Sequence, residues 1–171
     1  MTMMEPAMDL EQFWALIAQS RQDAAGNFSA QEKALAKLLA ELEPDELVDF
    51  DKHYHDMLDV AYRWDLWAAA YILNGGCSDD GFDYFRDWLI AQGETVFVAA
   101  LHNPESLCAV AVPYACEAET FRYIVGEVYE EKFAAALPFA LRDPAPLQGE
   151  EWDEDTVETL YPKLAALVAA V

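Results

Sequence analysis

Basic residues are scarce in this chain. Ten Lys and Arg stand against 32 Asp and Glu, which leaves a formal net charge of -22 over 171 residues. Contact with nucleic acid needs a basic footprint to displace counterions from phosphates, so direct binding of DNA or RNA is not expected. Adhesion to anionic membranes is disfavoured for the same reason. Cysteine is scarce as well. Cys77, Cys108 and Cys116 are odd in number and show no C-x-x-C spacing. That excludes a disulfide framework and a zinc knuckle and fits reduced thiols in a cytoplasmic protein. The opening Met-Thr-Met-Met-Glu-Pro has neither a basic nor an apolar leader segment, so no signal peptide is read there. No apolar run reaches the roughly 18 residues of a membrane span. The glycine-rich phosphate loops, the G-x-S-x-G elbow and the H-E-x-x-H metal motif are all missing, and no cofactor is expected. Sustained period-2 alternation is missing too, so no strand is predicted.

What the chain does have is apolar content at helical spacing. With 54% hydrophobic and 13% aromatic residues, it can build a core despite its charge. Asp9 and Gln12 form a capping box ahead of Leu10, Phe13, Trp14 and Ile17. Ser29 to Glu32 reads as another, ahead of Leu35, Leu38, Leu39 and Leu42. Pro44 opens a third helix with Leu47, Phe50, Tyr54, Met57, Leu58 and Ala61 facing inward. Glu117 to Ala136 reads as helical, with Gly126 as a weak point. From Asp143 to Pro162 every charged residue is acidic, which reads as an acidic linker or arm, and a last helical segment follows, interrupted at Tyr161-Pro162. The expected architecture is all-α: a compact multi-helix single domain of about seven to nine helices, with an acidic C-terminal helical extension. Residues 1–8 are read as a flexible tail, 9–138 as the helical domain, and 139–171 as an acidic, proline-containing linker and terminal helix. The apolar face of that last helix is expected to dock either on the main domain or on a second copy of the chain, giving a homodimer.

The organising stretch runs from Trp64 to Gly93. Trp64, Trp67, Ala68 and Tyr71 share one helical face, and Asn74-Gly75-Gly76 stops that helix. Ser78 or Asp79 can cap the next helix, with Asp79 and Asp80 at the positive end of its dipole. Phe82, Phe85 and Leu89 form its inward stripe, flanked by Trp88 and Ile90. Arg86 falls at the edge of this apolar face, where an unpaired charge is costly, so Asp79 or Asp83 is expected to pair with it. Two readings follow. One is a structural ion pair at a capped helix start. The other is a polar pocket of Cys77, Ser78, Asp79, Asp80 and Arg86, whose carboxylates could hold a cation or do acid–base work.

Leu66 to Ile72, Gly75 to Phe82, Phe85 to Ile90 and Gln92-Gly93 resemble the signature of domain-of-unknown-function family 4240. Phe13-Trp14 and Tyr129 to Lys132 resemble its flanking pieces. The likeness spans roughly residues 9–138. It implies one bacterial-type domain and marks Ser78, Asp79, Asp80 and Arg86, but it implies no reaction.

Asp49, Asp51, His53 and His55 are the best metal candidates by residue type. The two histidines lie about 200° apart around a helix, however, so they read as two surface pairs, Asp49–His53 and Asp51–His55. The charge and the missing catalytic motifs favour a binding or interaction module of inhibitor, immunity or adaptor type, holding a basic protein or peptide. The aromatic and polar candidates for that contact are Trp64, Trp67, Tyr71, Ser78, Asp79, Asp80, Asp83, Arg86 and Trp88. The alternative is an enzyme or a small-ligand or cation-binding protein at the Gly75–Asp80 corner. There Asp79 and Asp80 would be base or cation ligands, Arg86 an anion clamp and Cys77 a nucleophile.

Overall fold

Helix starts are decided locally in this chain. The Asp9 carboxylate accepts the Gln12 N–H at 2.8 Å and the Gln12 side chain accepts the Asp9 N–H at 2.8 Å, which fixes the start of α1 (Leu10–Ala24). The next start differs from expectation. Asn27, not Ser29, caps α2 (Phe28–Leu39) by accepting the Ala30 N–H. Either residue can cap, and Asn27 follows a left-handed turn at Ala25 and Gly26 that delivers the chain two residues earlier. Glu32, the expected far end of the box, instead accepts the Thr120 hydroxyl. Then come α3 (Pro44–Val60), α4 (Trp64–Asn74), α5 (Asp79–Ala91) and α6 (Glu94–His102), followed by 3-10 turns at Pro104–Ala109 and Phe121–Tyr123. The last helices are α7 (Ile124–Phe133), α8 (Val157–Leu160) and α9 (Pro162–Ala169).

This computed structural model describes residues 4–171, and among the described residues it is all-α, with one isolated bridge between Arg63 and Gln148 and no strand. The first three residues of the expected tail lie outside the described residues. Its last residue, Met8, is buried at 2% exposure, and its N–H donates to Asp49 at 3.0 Å. No described helix is long and apolar enough to cross a membrane.

The chain forms two compact units. The first comprises residues 4–57 and 120–143. Here α1 packs on α2 and α2 on α7, around Phe13, Ile17, Leu35, Leu39, Phe50, Tyr54 and Phe121. Leu10, expected on the inward stripe, is 39% exposed, while Phe13, Trp14 and Ile17 of the same stripe are buried. The helix expected from Glu117 begins only at Ile124, after a 3-10 turn at Phe121–Tyr123. Upstream of it, the Ala118 N–H is taken by the Tyr84 carbonyl, which holds that residue out of helical pairing. Gly126 does not split α7.

The second unit comprises residues 58–119 and 144–171. Its centre is α4, which is apolar nearly all round and buries Leu66, Ala68, Ala69, Ala70, Ile72 and Leu73. Helices α5, α8 and α9 pack against it. The stretch expected as an extension is therefore shared out: it is part of the first unit up to Asp143 and of the second from Pro144. Three apolar anchors account for its docking. Val157 and Leu164 are fully buried, and Trp152 lies edge-on to Trp64 while its indole N–H donates to the Trp64 carbonyl at 2.7 Å. The backbone adds Trp64 N–H to Gln148 carbonyl at 2.8 Å and Gln148 N–H to Tyr62 carbonyl at 3.1 Å.

If α9 is part of this core in solution, Leu164→Ala should cost about 2–5 kcal/mol of stability, the usual penalty for emptying a closed site. Urea denaturation followed by tryptophan fluorescence measures it. An unchanged midpoint would show that the helix is undocked.

Candidate functional site

The corner between α4 and α5 is built from backbone demands. Asn74 ends α4 and reaches across to the loop at Cys116: its amide donates to the Cys116 carbonyl at 3.1 Å and its carbonyl accepts the Cys116 N–H at 3.1 Å. Gly75 follows in the left-handed conformation, φ 70° and ψ 37°. A Cβ there would lie 2.8 Å from the Tyr114 ring, so glycine is required on two counts. The Ser78 hydroxyl accepts the Gly81 N–H at 3.2 Å and caps α5. The Trp67 indole N–H donates to the Cys77 carbonyl at 3.0 Å and ties the corner to α4.

From this corner α5 carries Arg86 into the unit. Its residue exposure is only 8%. One guanidinium nitrogen donates to the Leu58 carbonyl at 2.8 Å, and another pairs with Asp83 one turn earlier. Leu58 lies in the last turn of α3, where carbonyls have no helical partner, so a cation both satisfies the carbonyl and complements the helix dipole. The guanidinium also lies over two rings, 4.8 Å from the centre of Tyr62 and 5.0 Å from that of Phe82.

Those rings belong to a column. Trp64 stacks on Trp67 at 5.3 Å, Trp67 on Phe82 at 5.0 Å, and Phe82 on Tyr62 at 6.0 Å, with interplanar angles of 10°, 11° and 25°. Beside the column opens a cleft of about 370 Å³. Trp67, Phe82 and Tyr62 form its aromatic wall, Asp59, Asp79 and Asp83 its acids, Arg86 its one cation, and Pro144 with Ala145 a lip. Three carboxylates against one guanidinium leave the cleft formally at -2.

The cleft thus gathers Trp67, Asp79, Asp83 and Arg86 from among the residues singled out in the sequence, and it does not gather the rest. Asp80 is exposed on the first turn of α5, and Ser78 serves as the cap. Tyr71 packs on Trp152 at 5.2 Å, Trp88 packs on Phe85 at 5.5 Å, and Trp64 sits behind Trp67 in the column. Asp59 and Tyr62 enter the cleft from the end of α3, which local spacing around Arg86 does not reveal. Asp87, outside the residues singled out by spacing, is fully buried; its signal in the sequence is an acid inside the apolar run from Phe85 to Ala91.

Cys77 does not have the character of a nucleophile. Burial, reinforced by the Glu117 carboxylate, pushes its thiol up to about 12, and burial likewise pushes Cys116 up to about 11. Both are protonated at neutral pH. The four metal candidates have other work. Asp49 accepts the Met8 N–H and His53 Nε2 donates to the Met8 carbonyl at 2.9 Å, so both hold the N-terminal segment. Asp51 and His55 form a separate pair at 3.5 Å. Among the described residues, no group of three or more His, Cys, Asp or Glu side chains is arranged to hold a metal ion.

Two outcomes test this geometry. Gly75→Ala should lose about 1–3 kcal/mol through forced left-handed φ and the Tyr114 clash, read as a lower thermal midpoint. A wild-type midpoint would show that the corner relaxes freely. Iodoacetamide should label native Cys77 at pH 8 about a thousandfold more slowly than an unperturbed thiol, because the thiolate is so rare. The unfolded chain should label normally. The raised pKa also sets a sign: its contribution to stability is complete below the unfolded thiol's range and is lost as pH rises toward 12.

Neither a curated protein nor a solved structure matches the chain. A family does match, over residues 8–131, a span that includes every cleft residue except Pro144 and Ala145. The likeness first read from the Gly75–Asp80 corner therefore holds along most of the sequence, and the chain belongs to the family described as protein of unknown function (DUF4240).

Proposed function

We propose that the protein is a binding module of the bacterial cytoplasm that holds a cationic group of a basic protein or peptide in the cleft beside Arg86. The observation that carries this reading is the cleft's composition: Asp59, Asp79 and Asp83 with a single cation, against an aromatic wall. Asp83 is engaged by Arg86. A lysine or arginine side chain entering the cleft meets the carboxylates of its lining and the rings of its wall. Carboxylates beside a low-dielectric wall are screened less than those on an open face, so a guest cation gains more there than in a surface ion pair. The net charge of -22 steers a basic partner toward the protein from any direction.

The cleft volume of about 370 Å³ also favours a second reading, a small organic amine in place of a protein side chain. The two are separated by size of ligand at the same carboxylates.

Titration of a short acetylated Lys/Arg peptide, followed by tryptophan fluorescence at about 0.15 M salt, tests both readings. Asp59→Asn/Asp79→Asn should weaken binding about tenfold or more, whereas Glu41→Gln/Glu43→Gln, with the same change of charge on exposed sites, should shift it less than about twofold. Equal losses in the two pairs, or no binding by wild type, would sink the peptide reading. Displacement of the peptide by millimolar spermidine or arginine methyl ester, with tighter binding of the amine alone, would move the assignment to the small ligand.

A further inference from the structure

The first unit carries a groove of its own. A cavity of about 520 Å³ runs between α3 and α7, with Gly126 in its lining, and Phe139 is common to this cavity and a smaller one beside it. Three observations bear on what occupies it.

The first is the glycine. Gly126 lies inside α7, where glycine is less favourable than any residue except proline. Nothing in the protein demands it: its φ is ordinary, and an added Cβ would meet no atom within 4 Å. The open space beside it is the groove. A helix-interior glycine that no packing requires leaves a strip of bare backbone, which allows another chain to approach closely.

The second is apolar exposure along the same groove. Phe139 is 71% exposed and Tyr123 58%, and Leu141, two residues beyond Phe139, is 94% exposed. These side chains bury little against their own unit.

The third is charge. Asp51, Glu127 and Glu130 line the cavity, against Arg122 alone among the fixed cations. Lys52 and Arg142, which line the smaller cavity, are both engaged by Asp56.

We propose that this groove docks a short, basic, amphipathic segment of a partner protein. An apolar side chain of that segment sits on the bare backbone at Gly126, between Tyr123 and Phe139. Its lysines or arginines face Asp51, Glu127 and Glu130. The pattern is helix-in-groove recognition, with apolar contact giving affinity and the acidic rim giving orientation and selectivity. This surface is independent of the cleft beside Arg86.

The glycine makes the proposal separable from a structural role. A short Leu/Lys amphipathic peptide and its Leu/Glu counterpart serve as probes, with anisotropy at about 0.15 M salt as the readout. Wild type should bind the Leu/Lys peptide and not the Leu/Glu one. Gly126→Leu should weaken binding about tenfold or more while leaving the urea midpoint unchanged or raised, since helix propensity improves as the groove fills. Glu127→Lys/Glu130→Lys should weaken it about as much, and Glu41→Lys/Glu43→Lys by less than about twofold. Asp59→Asn/Asp79→Asn should bind normally, so failure of the cleft reading and of this one give different patterns. Binding of the Leu/Lys peptide that survives both groove variants would overturn the proposal, as would equal binding of the Leu/Glu peptide or no binding at all. Concentration-dependent dimerisation abolished by Phe139→Ser would overturn it in favour of a second copy of the chain.

Discussion

A guanidinium withdrawn from water must be compensated, and the second unit supplies partners for the charge, the terminal nitrogens and the flat faces of Arg86. Its charge is met by Asp83 from the same helix, its donor geometry by the orphan carbonyl of Leu58, and its flat faces by Tyr62 and Phe82. Each of these is a separate constraint. Asp83 only requires that α5 be helical, but the Leu58 carbonyl requires that α3 end where it does. The two rings require that α5 and the residues after α3 meet at one depth. Breaking any one contact would leave a buried charge short of partners, which costs far more than the contact itself contributes.

The same compensation shapes the cleft. With Asp83 turned to Arg86 and the guanidinium lying over Tyr62 and Phe82, the aromatic column cannot collapse onto the acids at its side. Trp67 has both faces covered, by Trp64 and by Phe82, so the column offers edges to the cleft. Trp152 closes the far side with its own edge and is held to the Trp64 carbonyl. The column is thus fixed from within α4 and α5 and again from the C-terminal segment. A rigid wall matters for recognition because little ordering entropy remains to be lost when a ligand arrives.

What could be read in advance was whatever depends on near neighbours in sequence. The cap at Asp9, the stop at Gly75, the cap at Ser78 and the pairing of Asp83 with Arg86 all act within one turn or one loop; the first two were legible outright, and each of the others as one of two alternatives, beside Asp79. The all-α class and half of the cleft were legible too. The Leu58 contact lies 28 residues away from Arg86, and the Asn74 amide meets Cys116 at a separation of 42. No local pattern announces such pairs, because a carbonyl accepts from whatever the fold delivers. Asn27 displaced Ser29 as a cap for a related reason: both have the right chemistry, and the turn at Ala25 and Gly26 decided between them. Docking of the last helix on the main domain was one of the two outcomes its apolar residues implied, whereas the anchors Trp152 and Val157 were hidden by composition, since an acidic run behind the Pro144/Pro146 pair reads as linker and the two lie too far apart to form a stripe.

Net charge of one sign raises a problem of discrimination. A chain at -22 attracts every cation in its surroundings, and at physiological ionic strength most of that attraction fades within about 8 Å of the surface. Long-range charge can therefore hasten encounters but cannot choose among partners. Choice needs acids whose fields are less screened and whose geometry is held by something other than solvent. The cleft beside Arg86 meets that need with an aromatic wall and a lip at Pro144 and Ala145. The groove at Gly126 meets it differently, by adding apolar area that a simple polycation cannot use. On the binding proposed for the two sites, a polycation would gain little at either place over the open surface, whereas a ligand combining a cation with apolar or planar character would gain at both, and that difference would be the physical basis of selectivity.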